Sequence, residues 1–133
     1  MIYLLDSNVC IRLLNDNHPL VSARLKQHTP AEISLCSVVK TELIFGAWRS
    51  GRVEANLQRL KLFFEPLPSL PFDDVCAEHY AKIRADLTAQ GQLIGANDLL
   101  IAAIARANQA VLVSNNTREF SRVSDLNLED WEV

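Results

Sequence analysis

Short apolar runs alternate along this chain with longer segments of helical periodicity, and this alternation limits the possible folds more than any other feature. The runs at residues 2–5, 33–36 and 111–113 show no regular polar alternation, which is typical of strands buried on both faces. The segments between them repeat apolar residues every three or four positions, which indicates helices. Strands joined by helical crossovers pair in parallel. We therefore predict an α/β fold, a three-layer α/β/α sandwich on a short parallel sheet.

The chain predicts one domain, residues 1–133, because its 133 residues are 49% hydrophobic and no linker or repeat interrupts them. We expect helices after residues 6–8, over 19–28, from 37 to a break at 49–52, over 53–64, from 73 to Gly91, over 96–107 and as a turn at 117–120. Residues 66–71 predict an edge strand or an extended connection, and residues 130–133 a last strand. The longest strictly apolar run, residues 99–105, is too short to span a membrane.

Charge and cysteine content narrow the functional class. A net charge of −3 argues against a protein that coats nucleic acid by bulk charge, although RNA remains possible as a substrate. The three cysteines lie in apolar stretches and no secretory leader is visible, so we expect reduced core thiols in a cytoplasmic protein. Cys76 and His79 have the spacing of half a zinc site, but no second pair accompanies them and a core role is favoured.

Three acids stand in unusually apolar surroundings. Asp6 ends the first strand, Glu42 lies among Val and Phe on a helix, and Asp98 precedes the most apolar helix. Buried carboxylates are normally paired or bound to metal, and no basic partner is evident for all three. Each also has a structural alternative: Asp6 can cap the next helix, Asp98 or Asn97 can cap the helix after Gly95, and Glu42 can form a hidden salt bridge.

A further polar group follows the strand at residues 111–113. Asn116 can supply a carbonyl oxygen and Glu119 a carboxylate, whereas the alternative is an exposed turn. Oxygen ligands without His or Cys suit Mg²⁺ or Mn²⁺ and not zinc. Such ions activate water and stabilise phosphoryl oxygens, as one ion or as a pair, so the acids predict a phosphodiesterase site.

Four segments in order resemble the PIN-domain nucleases, and more narrowly the VapC toxins of bacterial toxin–antitoxin pairs. They are residues 4–9 (LLDSNV), 37–43 (SVVKTEL) with Gly46, 94–103 (IGANDLLIAA) and 112–120 (LVSNNTREF). The sequence at Asp130 and Trp131 also looks like the closing strand of that family. The likeness spans about residues 2–132, so it covers nearly the whole chain.

The resemblance implies a PIN-like sandwich in which Asp6, Glu42 and Asp98 are the catalytic acids and bind metal. Ser7 keeps a hydroxyl where the family usually has Thr. Asn116 replaces the fourth acid, so a second metal site is either weaker or depends on Glu119. With Ser114, these residues complete the expected site, which takes one or two Mg²⁺ ions, or Mn²⁺ in their place.

The same resemblance implies hydrolysis of structured RNA such as tRNA, a homodimer, and a VapB-type antitoxin that inserts a segment near the site and alone contacts DNA. Possible phosphate contacts are Lys40, Arg49 and Arg118, with Arg12 and Arg52 as further candidates. A group of apolar residues can form a partner surface or belong to the core: Phe45, Trp48, Leu57, Leu60, Phe63 and Phe64. The alternative function is a catalytically weak module of the same fold that only binds RNA or antitoxin.

Overall fold

The computed structural model describes residues 1–133 and contains one parallel sheet. Its strands are β1 (Tyr3–Leu5), β2 (Ile33–Cys36), β3 (Ser69–Leu70), β4 (Val111–Val113) and β5 (Asn127–Glu129). Their spatial order is β3-β2-β1-β4-β5, and every neighbouring pair is parallel. The first strand along the chain therefore lies at the centre of the sheet.

Seven helices flank this sheet, which confirms the predicted α/β/α architecture. They are α1 (Ser7–Asn15), α2 (Pro19–Lys26), α3 (Ser37–Trp48), α4 (Val53–Phe64), α5 (Asp74–Ala89), α6 (Ala96–Ala107) and α7 (Thr117–Phe120). Asp73 caps α5 by accepting a hydrogen bond from the Cys76 amide, at 3.0 Å. Gly91, with a φ of +65°, follows α5 in a conformation that favours glycine.

The core forms where β1, β2 and β4 meet α6. All three strands are almost wholly buried, and the residues of α6 from Ile101 to Ala105 have no exposed surface. Helix α5 covers α6 along its length. A helix that is apolar on nearly all sides needs cover of this kind, which is what the sequence of α6 predicted.

The structure corrects the prediction for the end of the chain. The last strand is β5 (Asn127–Glu129) and not residues 130–133. The Asp130 carboxylate accepts a hydrogen bond from the Glu132 amide, at 2.9 Å, and this turns the chain out of the sheet. Trp131 is then fully buried, and its indole N–H donates to Glu129 at 3.0 Å. At the other edge, residues 66–71 include the short strand β3.

All three cysteines are free and buried, as the sequence indicated. Cys76 and His79, the pair with the spacing of half a zinc site, have other partners in the structure. The Cys76 thiol donates to the Pro71 carbonyl at 3.6 Å, and His79 accepts from the Arg106 guanidinium at 2.9 Å. No helix combines the length and the apolar character that crossing a membrane requires.

Candidate active site

Polar side chains gather where the central strands end. The neighbours of β1 are β2 on one side and β4 on the other, so the chain leaves the carboxyl ends of β1 and β4 in different directions. Such a switch point opens a crevice that commonly holds ligands in parallel α/β sheets. Asp6 follows β1 and Ser114 follows β4, so both side chains stand at this crevice.

Asp6 is a buried carboxylate, only 6% exposed, that is held by two donors. One oxygen accepts from the Ser7 amide at 2.8 Å, and the other accepts from the Ser114 hydroxyl at 2.7 Å. The first bond is the helix cap that the sequence offered as an alternative. The second joins Asp6 to the neighbouring strand, so capping and a place at the crevice are compatible.

Glu42 reaches the same crevice from the middle of α3. Its carboxylate accepts a hydrogen bond from the Ser7 hydroxyl at 2.8 Å, which spans 35 residues of sequence. The hidden salt bridge proposed as an alternative is absent, because no cationic side chain lies within ion-pair distance of Glu42. Ser7 therefore orients both neighbouring acids, one through its amide and one through its hydroxyl.

Asp98 lies in the first turn of α6, three residues after the N-cap Gly95, and makes no side-chain cap. The capping alternative for Asp98 or Asn97 is therefore wrong. The Asn116 amide group, at the start of α7, lies 3.4 Å from an Asp98 oxygen and 3.2 Å from a Glu119 oxygen. Asn116 is half-buried and tied to both acids, so it does more than form an exposed turn.

The acidic pocket, defined by Asp6, Glu42, Asp98 and Glu119, carries negative charge that no basic side chain neutralises. Burial, followed by the negative charges of Asp6, Glu119 and Glu42, raises the pKa of Asp98 to about 6. The ion pairs of the molecule include none of these four acids. Four carboxylates without a cationic partner are the surroundings in which a divalent ion is stabilising.

The donor set of the acidic pocket fits a divalent cation by charge and by atom type, because carboxylate and hydroxyl oxygens are hard ligands. As the side chains stand, however, no three acidic, histidine or cysteine groups converge on one point that could hold an ion. The carboxylates would have to turn toward a bound ion. Which of the acids bind metal therefore stays a prediction.

The basic candidates have mixed surroundings. The Lys40 ammonium lies 5.0 Å from the Phe64 ring centroid, and the Arg49 guanidinium lies 5.4 Å from the Phe45 ring centroid. Arg118 is exposed on α7, directly after Asn116 and Thr117. Arg12 is paired with Glu132 at 3.6 Å and is less available for phosphate.

A groove adjoins the acidic pocket between α1, α3 and α4. Its volume is about 540 Å³, and Ser7 and Glu42 line the end nearest the acids. Ile11, Leu14 and Leu60 form part of its apolar wall. Arg59 and Asn56 also line it, and neither was predicted from the sequence, because polar residues on α4 resemble an ordinary solvated helix face.

The apolar residues considered for a partner surface divide into two groups. Phe45 and Trp48 are 59% and 64% exposed. Leu60 is buried, and the remaining three pack against the core: Leu57, Phe63 and Phe64. Of these six residues, only Phe45 and Trp48 on α3 are exposed enough to form a partner surface.

A parallel sheet of five strands with acids at its switch point defines the class of domain, and comparison with known proteins agrees. The family model described as PIN domain matches residues 3–126. Ribonuclease VapC2 of Rickettsia felis is 38% identical over 99% of each chain. The tRNA(fMet)-specific endonuclease VapC of Shigella flexneri is 37% identical over 97% of each chain.

Solved structures agree with the sequence relatives. The DNA-bound VapBC complex of Salmonella typhimurium contains a chain that superposes with a TM-score of 0.92, at 34% identity over 98% of each chain. The chain therefore belongs to the PIN-domain family and, within it, to the VapC proteins. This confirms the resemblance drawn from the four sequence segments.

Proposed function

We propose that this chain is a metal-dependent endoribonuclease that acts in the cytoplasm as the toxin of a toxin–antitoxin pair. One observation carries the proposal: four carboxylates from four separate segments lie around the switch point of the sheet with no cationic partner. The names of the VapC relatives, which include ribonuclease and endonuclease, support the same activity.

The residues of the acidic pocket have two proposed roles, to bind the metal ion and to orient its ligands. Asp6, Glu42, Asp98 and Glu119 are the proposed ligands of Mg²⁺, or of Mn²⁺ in its place, as one ion or two. A bound ion of this kind supplies water activation and neutralises charge on the phosphodiester. The Ser114 hydroxyl donates to one oxygen of Asp6 at 2.7 Å, and this hydrogen bond fixes the orientation of the carboxylate.

Ser7 orients Glu42 in the same way, through its hydroxyl at 2.8 Å. No side chain is required as a nucleophile in this scheme, because water attacks the phosphorus atom. The protein orients the carboxylates before the reaction begins. Such electrostatic preorganisation accounts for much of the rate enhancement in many enzymes.

We propose structured RNA, and tRNA in particular, as the substrate. The Shigella relative is named as a tRNA(fMet)-specific endonuclease, which supports this class of substrate. Lys40, Arg49 and Arg118 are the proposed phosphate contacts, and none of them takes part in an ion pair. Phosphate contacts position a nucleic acid but carry little sequence information, so recognition depends on RNA shape.

A VapB-type antitoxin is the proposed partner, since solved relatives are VapBC complexes. The groove between α1, α3 and α4 suits an inserted segment, because its apolar wall leads to Ser7 and Glu42. We propose a homodimer for the toxin itself, and contact with DNA only through the antitoxin.

The decisive experiment incubates the purified chain, free of antitoxin, with small RNA and Mg²⁺ or Mn²⁺. Parallel reactions contain EDTA, the Asp98→Asn variant, and the Asp74→Asn variant as a matched control. Asp74 is an exposed acid in the first turn of α5, outside the acidic pocket. We expect a few discrete fragments with wild type and Asp74→Asn, and none with EDTA or Asp98→Asn.

Two other results would contradict the proposal. Intact RNA in every reaction, from protein shown to be folded, would favour a module of the same fold that only binds RNA or antitoxin. Fragments that persist with Asp98→Asn would mean a contaminating nuclease or a different catalytic carboxylate.

A further inference from the structure

Asn116 lies between two carboxylates that come from different helices. Its side-chain nitrogen is 3.4 Å from an oxygen of Asp98 on α6 and 3.2 Å from an oxygen of Glu119 on α7. Two ionised carboxylates this close to one another repel. A donor that faces both of them opposes the repulsion, and Asn116 supplies one without adding charge.

The chemistry of the neighbours fixes the orientation of this amide. Ionised carboxylates only accept hydrogen bonds, so the NH₂ end of Asn116 must face them and the carbonyl end must face away. The backbone N–H of Asn116 donates separately to the Ser114 hydroxyl at 3.0 Å. Ser114 in turn donates to Asp6 at 2.7 Å, so Asn116 is connected to three of the four acids.

Resting on the proposed function, we infer that Asn116 is a positioning residue that clamps Asp98 and Glu119 together so that both carboxylates reach the same divalent cation. The clamp works through its two amide hydrogens. An aspartate at this position would replace those donors with a fifth negative charge beside Asp98 and Glu119. The neutral amide therefore makes Glu119 usable as a ligand and keeps the metal-free pocket stable.

The test measures Mn²⁺ binding by calorimetry to wild type, Asn116→Ala and Asn115→Ala. Asn116→Ala keeps the backbone bond to Ser114 and removes only the clamp. Asn115 is the exposed neighbour, whose amide oxygen accepts from Asn8 at 3.4 Å, and it serves as the matched control. We expect Asn116→Ala to weaken Mn²⁺ binding roughly 10- to 100-fold, as loss of a group that orients metal ligands does, with Asn115→Ala unchanged.

A second variant separates the clamp from a general structural role. Asn116→Asp should lower the melting temperature in EDTA, and Mn²⁺ should restore it to a larger extent than in wild type. At saturating Mn²⁺ we expect Asn116→Ala to recover kcat while its KM for RNA stays that of wild type, because only the metal affinity has changed.

Mn²⁺ binding by Asn116→Ala that matches wild type would overturn the inference, and RNA cleavage by wild type would then show that the proposed function still stands. A loss of binding in Asn115→Ala equal to that in Asn116→Ala would also overturn it. A wild-type chain that neither binds Mn²⁺ nor cleaves RNA would reject the proposed function itself.

Discussion

Replacing Asp98 by asparagine should stabilise the metal-free protein at neutral pH. The carboxylate is half-buried, and burial together with Asp6, Glu119 and Glu42 raises its pKa from the ordinary value of 3.8 to about 6. A raised pKa means that folding penalises the ionised form. Asn116 remains within hydrogen-bonding distance of the new side chain, so the substitution removes charge and little else.

The size of the effect follows from two opposing contributions. A tenfold change in an ionisation constant is worth about 1.4 kcal/mol. For a fully buried carboxyl, the rise in pKa from 3.8 to about 6 would therefore destabilise the folded protein by about 3 kcal/mol. Solvent screening of a half-buried group reduces this to about 1–2 kcal/mol. Loss of a negative charge from the first turn of α6 opposes the gain by about 0.5 kcal/mol. We expect a net gain of about 1 kcal/mol, or about 3 °C in Tm.

The pH dependence tests the sign of this effect most sharply. Well below pH 3.8 the carboxyl is protonated in both the folded and unfolded states, so no penalty exists. The wild type loses stability as the pH rises from 3.8 to about 6, and the full penalty is present above that value. Urea unfolding in EDTA should therefore show Asp98→Asn more stable than wild type at pH 7.5 and equal to it at about pH 3.

Asp74→Asn is the matched control, because it also removes an acid from a first helical turn but lies on α5, outside the acidic pocket. It should lose a few tenths of a kcal/mol, through the helix dipole alone. A destabilised Asp98→Asn, or a gain of the same size at both pH values, would refute the reasoning.

Three further substitutions test the packing and the site by urea unfolding. Ile104→Ala should cost about 2–5 kcal/mol because Ile104 is fully buried on α6, and a loss below that range would mean that the core collapses into the cavity. Ser114→Ala should lower the free energy of unfolding by about 1–3 kcal/mol, because it removes one of the two hydrogen-bond donors to Asp6. Ser114→Thr keeps a hydroxyl and should recover much of this loss. No recovery would mean that the hydroxyl hydrogen bond is unimportant. Gly91→Ala should lower the free energy of unfolding by roughly 1 kcal/mol, because Gly91 has a φ of +65°. Gly51→Ala is the control, since Gly51 has open space around it and no such φ, and it should leave the stability unchanged. Equal effects of the two substitutions would rule out backbone strain as the cause.

Local sequence was sufficient for most of the fold. The apolar run that became α6 has no polar face, so it predicted a buried helix, and the structure confirms it. The end of the chain was harder because β5 is set by distant partners. Its register pairs Val111 with Asn127, and the Ser114 amide donates to the Glu129 carbonyl at 3.0 Å. Such pairing carries little local signal, so the sequence alone predicts the strand at residues 130–133 instead of Asn127–Glu129.

In the acidic pocket, too, some features follow from local sequence and others depend on residues that are distant in the chain. Asp6, Glu42 and Asp98 are recognisable as candidate site residues because each acid stands in an apolar stretch of sequence, where an unpaired charge is costly. The contacts that organise them were not recognisable, since Ser7 meets Glu42 across 35 residues and Ser114 meets Asp6 across 108. The donor role of Asn116 was also hidden, because it depends on the two carboxylates that folding places beside its amide.

The central position of β1 has a consequence for how the protein is made. Asp6 leaves the ribosome before β4, and Ser114, which completes its surroundings, follows 108 residues after Asp6. Contacts between such distant segments form late and slowly, because a long loop must close first. A growing polypeptide therefore cannot complete the surroundings of Asp6 until β4 and Ser114 have been synthesised. The order of the strands makes formation of the acidic pocket depend on this late-arriving segment.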